Sequence, residues 1–164
     1  MRAAIAAAVI LSSLRAAAAP AAPVGSVEGS WLTEQKNGIV DIFRCGGGAL
    51  CGRLAWVRIV PSDDNAHAVD GHDPDPKLRS RSLCGLMMMW GFRPDGPDHW
   101  GGGALYDPQS GTTYRGTMAL RPDGKLSLRG YVLVSLFGRS ELWTRFTRPI
   151  PRCPAGTARS SNGR

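Results

Sequence analysis

The sequence predicts an all-β protein, a small antiparallel up-and-down β-barrel of about eight strands. Three observations predict it. Short runs of alternating apolar and polar residues recur between Gly-, Pro- and Asp-rich turns. After the leader, helical period is confined to a turn near Pro76 to Arg81. A Trp on the first strand, Trp31, is matched by an Arg on the last, Arg145, with Arg139 as the alternative. A guanidinium laid over an indole face is a way for the two ends of a sheet to close on each other. A flat sandwich is the architectural rival.

Residues 1–22 read as a signal peptide. Arg2 supplies a positive start, Ala3 to Leu11 an apolar stretch too short to span a bilayer, and Ala16 to Ala22 offers small-residue cleavage windows. No later stretch is long and apolar enough to be a transmembrane helix, so the expected product is exported, periplasmic or secreted. Removing Arg2 and Arg15 takes the formal charge from +7 to +5. The rest divides into a barrel domain, 27–148, and a Pro- and Ser-containing C-terminal tail, 149–164, expected to be flexible.

The strands follow in order. Trp31 to Thr33 comes first. Ile39 to Arg44 and Ala49 to Val60 form a hairpin around Gly46-Gly47-Gly48, a turn that suits glycine. Cys45 and Cys51 flank that turn at a spacing a disulfide can bridge, and closing so short a loop contributes roughly 2 kcal/mol. A zinc site there lacks a second close pair of ligands. Cys84 and Cys153 either pair with each other or stand as a buried and an exposed thiol.

In the second hairpin strand Leu54, Trp56 and Arg58 share one face by simple alternation. Leu83 to Arg93 is apolar on both faces through Met87-Met88-Met89-Trp90. Trp100 to Tyr106, Thr112 to Arg121, Leu126 to Leu136 and Arg139 to Arg148 complete the set, with Asp107-Pro108 and Pro122-Asp123-Gly124 as turns.

Chemistry-bearing residues are sparse. His67 and His72 share a loop with Asp63, Asp64, Asp70, Asp73 and Asp75, but the spacing departs from a calcium loop. Arg79 and Arg81 follow that loop and are explained by pairing with it. Asp107 reads as a turn former and Cys84 as a small buried residue. No Ser or Cys sits in a nucleophile motif, so no catalytic residue, metal ligand or cofactor is assigned and the expectation is a protein that is not an enzyme. An exported chain without a recognition motif makes nucleic acid a poor partner. From Arg129 onward seven Arg face the single acid Glu141, a distribution that suits an anionic envelope surface.

The ordered set Gly29-Ser30-Trp31, Cys45, Leu50-Cys51-Gly52-Arg53, Asp73-Pro74-Asp75-Pro76, Arg79-Ser80-Arg81 and Gly91-Phe92-Arg93-Pro94 is distinctive. It continues with Trp100, Gly102-Gly103, Tyr106-Asp107-Pro108, Gly111-Thr112-Thr113-Tyr114, Gly130-Tyr131, Gly138-Arg139 and Trp143-Thr144-Arg145. Over residues 27 to 147 this resembles the bacterial family called domain of unknown function 2147. The resemblance implies a small exported protein of Gram-negative bacteria with a lipocalin-like barrel, and brings no binding residues with it. The Met87-Met88-Met89 run and the Cys153 tail depart from the family's pattern.

Two functions follow. The first is a small hydrophobic or amphipathic ligand in a lumen lined by Trp56, Met88, Trp90, Tyr114 and Met118. The alternative is an envelope interaction module whose filled barrel binds a protein or an anionic surface.

Overall fold

The structure, a computed structural model, describes residues 26–58, 68–132 and 138–149. The expected signal peptide, Cys153 and all but the first residue of the expected tail lie outside the described residues. Eight strands, β1 (Gly29–Leu32), β2 (Gly38–Arg44), β3 (Leu50–Val57), β4 (Met87–Pro94), β5 (His99–Asp107), β6 (Thr112–Leu120), β7 (Leu126–Tyr131) and β8 (Gly138–Arg145), close into one antiparallel barrel in chain order. Two 3-10 turns, Gly46–Gly48 and Pro76–Leu78, are the helical elements among the described residues.

The lumen follows from register, because directly paired residues share a face. Trp31 pairs with Val40 and Val40 with Leu54, while Met118 pairs with Leu128 and Leu126 with Trp143. All of these are buried in one contiguous apolar cluster with Ile42, Leu50, Leu86, Met89 and Phe92.

The closing pair lies where β1 meets β8. Trp31 and Arg145 are register partners, and the Arg145 guanidinium carbon sits 4.2 Å from the indole centroid. The indole Nε1 donates to the Val27 carbonyl at 2.8 Å. Arg145 donates to the carbonyl of Glu28 at 3.0 Å and to that of Ser26. One guanidinium therefore ties the last strand to the segment leading into the first and plugs one end of the barrel. Burial lowers the pKa of Arg145.

At this closed end Cys45 and Cys51 form a disulfide across the β2–β3 turn, with Cα atoms 5.8 Å apart. Gly47 and Gly48, at φ of 66° and 74°, make the turn that brings them together. Cys84 is disulfide-bonded as well. Such bonds fit an oxidising, exported setting.

The β1–β8 seam is short. Ladder pairing there is limited to Trp31–Arg145 and Leu32–Thr144, although β8 extends back to Gly138. Higher up, the Glu34 carboxylate accepts the Leu142 N–H at 3.2 Å, a side chain doing the work of a ladder carbonyl.

Bulges decide which residues reach the lumen. Ile39 pairs with Trp56 but Val40 with Leu54, so Ala55 is an extra residue on β3. Val40 faces in, hence Ile39 and its partner Trp56 face out. On β4, Gly91 at φ 76° and, on β5, Gly102 at φ 68° bulge in tandem, so Phe92 and Gly103 both face the lumen. The Phe92 ring lies directly over the Gly103–Gly116 pair; a Cβ at Gly103 would fall 2.3 Å from it. Gly116 pairs with Gly130 in turn, giving an inner row of three glycines across β5, β6 and β7.

Candidate ligand mouth and its strap

The end opposite the Trp31–Arg145 plug is formed by the β1–β2 and β5–β6 turns and by residues 68–86, a strap between β3 and β4. The strap is itself a hairpin, bridged at Val69–Ser82 and bonded from Leu83 N–H to Ala68 C=O at 2.8 Å. Its carbonyl at His72 packs onto the β5–β6 turn so closely that Gly111, at φ 68°, leaves no space for a side chain.

A polar cluster locks the strap to the barrel. Arg81 Nη2 lies 2.7 Å from both Asp70 Oδ2 and Asp73 Oδ2, and its Nε donates to Asp70 at 2.9 Å. The Tyr106 hydroxyl donates to Asp70 Oδ1 at 2.7 Å, and the Arg81 guanidinium stacks 5.5 Å from the Tyr106 ring centroid. Asp70 and Asp73 are both buried and share the one Arg81 guanidinium. Burial raises the Tyr106 pKa, helped by its hydrogen bond to Asp70 and by both carboxylate charges, to about 12. Burial alone lowers the pKa of Arg81, but the hydrogen bond and charges of Asp70 and Asp73 outweigh it and the net shift is upward. Asp73 Oδ1 also accepts the Asp75 N–H at 2.7 Å, and Arg79 Nε donates to the Asp73 carbonyl at 2.7 Å. The Asp loop and the two Arg pair as the sequence indicates. Tyr106 as their third partner was visible in sequence only as the residue before an Asp-Pro turn.

The residues expected to line the lumen divide. Met118 is buried inside it, and Tyr114 is half-buried on the inner face, paired with Leu105. Met88, at a β3–β4 register shift, is half-buried against the core cluster. Trp56 and Trp90 are corrections: both sit on the outer face. The Ala55 bulge turns Trp56 outward. Trp90 pairs with Ala104 beside the inward Met89–Leu105 pair and is 39% exposed. Uninterrupted alternation, on which the expectation rested, fails at both places.

Three inner-face residues lie outside the expected lining: Leu105, Glu141 and Arg139, the alternative closing residue, whose place over Trp31 is taken by Arg145. Gly130 pairs with Arg139 and Leu128 with Glu141, so both charged side chains share the face of Trp143 and Arg145. The Glu141 carboxylate accepts the Trp143 indole N–H at 3.0 Å. Leu105 completes the wall. Of the exposed large apolar residues among those described, Val69 (45%) and Val132 (56%) lie at this end, while Met87, paired with Arg53, Trp90 and Leu142 sit on the outer face. Outside the closed end a cleft of about 220 Å³ is lined by Ser26, Glu28, Arg44, Asp98 and Trp100 among others, with Arg44 ion-paired to Glu28 at 2.8 Å. Among the described residues no group of His, Cys, Asp and Glu is arranged to hold a metal ion, and no helix is long and apolar enough to cross a membrane.

Comparison with known proteins agrees with this architecture. A solved structure described as protein HP1028 from the human pathogen Helicobacter pylori, belonging to the lipocalin family, superposes with a TM-score of 0.64. It is similar at 23% identity over 74% of this chain and 84% of that one, a likeness that shows the fold. No match was found among curated protein sequences. A family described as an uncharacterized protein conserved in bacteria, DUF2147, matches residues 29–145, every strand of the barrel, and the chain belongs to that family.

Proposed function

We propose that this chain is an exported binding protein, not an enzyme, that holds a small hydrophobic or amphipathic molecule at the mouth of its barrel. The carrying observation is the asymmetry of the two ends. One is plugged by Trp31, Val27 and Arg145; the other presents exposed Val69 and Val132 above half-buried Met88, Leu105 and Tyr114. Apolar surface gathered at one rim marks a contact site, and an eight-stranded barrel is wide enough for one small ligand. The lower lumen is filled by Phe92, Met118, Leu126 and Trp143, so the ligand sits high, between rim and glycine row. The leader and the Cys45–Cys51 disulfide support export. The test is native mass spectrometry of protein purified from its exporting compartment. A discrete bound mass is expected; clean apo protein that also takes up no amphiphile from a broad panel overturns the reading.

One observation favours a second reading, an envelope interaction module with a packed barrel. The buried cluster runs without a break from Val27 and Trp31 to Leu86 and Tyr106. Salt-sensitive retention on anionic vesicles, lost on charge reversal at Arg129, Arg148 and Arg152, would favour it over the first.

A further inference from the structure

We propose that Arg139 anchors the headgroup of the bound amphiphile and selects a monoanionic one, a carboxylate. This rests on the mouth being the ligand site and adds the chemistry of what it takes.

The argument begins with β8. Its residues alternate strictly, and register fixes their faces: Trp143 opposite Leu126, Glu141 opposite Leu128, Arg139 opposite Gly130. Leu126 and Leu128 are buried in the lumen, so Arg139 leaves the strand on the lumen side, one rung nearer the mouth than Glu141. The intervening Ser140 points the other way, where it accepts from outer-face Arg129 at 3.0 Å. Arg145 at the far end of the same strand is spent on Trp31 and two carbonyls. Arg139 makes no ion pair among the described residues and is exposed.

The wall beside it is apolar. Arg139 ends an inner row whose other members are Gly130, Gly116 and Gly103. Leu105 and Tyr114 border that row, within 3.5–3.6 Å of where a Gly130 Cβ would be. A guanidinium with free donors next to apolar wall and a phenol suits a planar anion joined to a hydrocarbon chain. Glu141 sets the charge limit. Its carboxylate, held by the Trp143 indole, lies one rung below Arg139 on the same face and repels a second negative charge on the guest. A carboxylate is thus favoured over a doubly charged phosphate monoester.

The test measures binding of oleate, oleyl alcohol and a long-chain alkyl phosphate to the full mature protein by isothermal titration calorimetry. It compares wild type, Arg139→Gln, Arg139→Lys and an outer-face control, Arg115→Gln. Wild type is expected to bind oleate more tightly than the phosphate. Arg139→Gln is expected to weaken oleate roughly tenfold or more, the scale of a lost charge-assisted hydrogen bond. It should leave oleyl alcohol unchanged, Arg139→Lys should recover part of the loss, and Arg115→Gln should do nothing. Oleate affinity unaltered in Arg139→Gln, or lowered equally by Arg115→Gln, overturns the anchor while the mouth reading stands. Preference for the phosphate overturns the charge selection. Failure of wild type to bind any of the three overturns the mouth reading, and the anchor with it.

Discussion

Replacing Gly103 by alanine should be among the most damaging single-methyl additions in this protein. A Cβ at that position would lie 2.3, 2.4 and 2.5 Å from three atoms of the Phe92 ring, far inside van der Waals contact. The ring cannot swing into solvent, because Phe92 is 0% exposed. Neither can it slide along the row, since at Gly116 its Cζ already lies 2.8 Å from the corresponding Cβ position. Relief requires a shift of more than an ångström in a packed lumen, which belongs at the upper end of the overpacking range, about 3 kcal/mol. For a domain of this size that is a fall of roughly 10 °C in Tm. The assay is thermal and urea unfolding followed by circular dichroism, with Gly46→Ala as control. Nothing lies within 4 Å of a Gly46 Cβ, so that variant should unfold within about 0.5 kcal/mol of wild type. Adding Phe92→Leu to Gly103→Ala should recover part of the loss, a non-additivity confined to residues in contact. A Gly103→Ala protein that melts with wild type would refute the tandem-bulge packing, and with it the placement of Phe92 in the lumen.

Other outcomes follow from the strap and the seams. Arg81→Met strands two buried carboxylates and should destabilise by about 3 kcal/mol, partly recovered by Asp70→Asn, as urea titration will read. Tyr106 should ionise near 12 in a spectrophotometric titration, and Tyr106→Phe should remove that transition. A pKa raised on folding means that the native state binds the proton more tightly, so this group's contribution is intact below pH 10 and is lost as pH rises through about 12. Arg145→Ala removes the indole contact and two carbonyl hydrogen bonds and should lower stability by about 2 kcal/mol, with Arg145→Lys intermediate. Peptide mapping under non-reducing conditions should find Cys45 joined to Cys51 and Cys84 joined to Cys153, the remaining cysteine of the sequence.

The barrel, its strand order and its family were legible in the sequence because they rest on turns and on alternation, both local. Pro122-Asp123-Gly124 and the Gly46 to Gly48 run mark hairpins wherever they occur. Side-chain facing is legible only while the count stays even, and one extra residue at Ala55 sends Trp56 to the opposite face with no compositional trace. Gly91 was such a trace, since an isolated glycine in a strand marks a bulge, and weighing it would have moved Trp90 outward. The lumen positions of Arg139 and Glu141 depend on the β7–β8 register, which no run of residues displays. The lock between Asp70, Arg81 and Tyr106 joins positions 36 residues apart and becomes visible only when the strap lies against β5.

The short seam between β1 and β8 bears on how this protein comes to be folded. Every other ladder joins strands that are neighbours in the chain, so seven of the eight pairings can form as each strand meets the one before it. The eighth must bring together residues such as Glu28 and Arg145, 117 positions apart. Its two rungs hold little by themselves, and the Phe146 N–H bond to the Ser30 carbonyl, Glu34 and Arg145 add the fastening. A curled sheet with one unzipped margin is therefore the natural penultimate species, and its open margins are the surfaces on which two copies would exchange strands. Slow amide exchange along β5 and β6, beside fast exchange at Leu32 and Thr144, would be the signature of a ring whose clasp opens before its band.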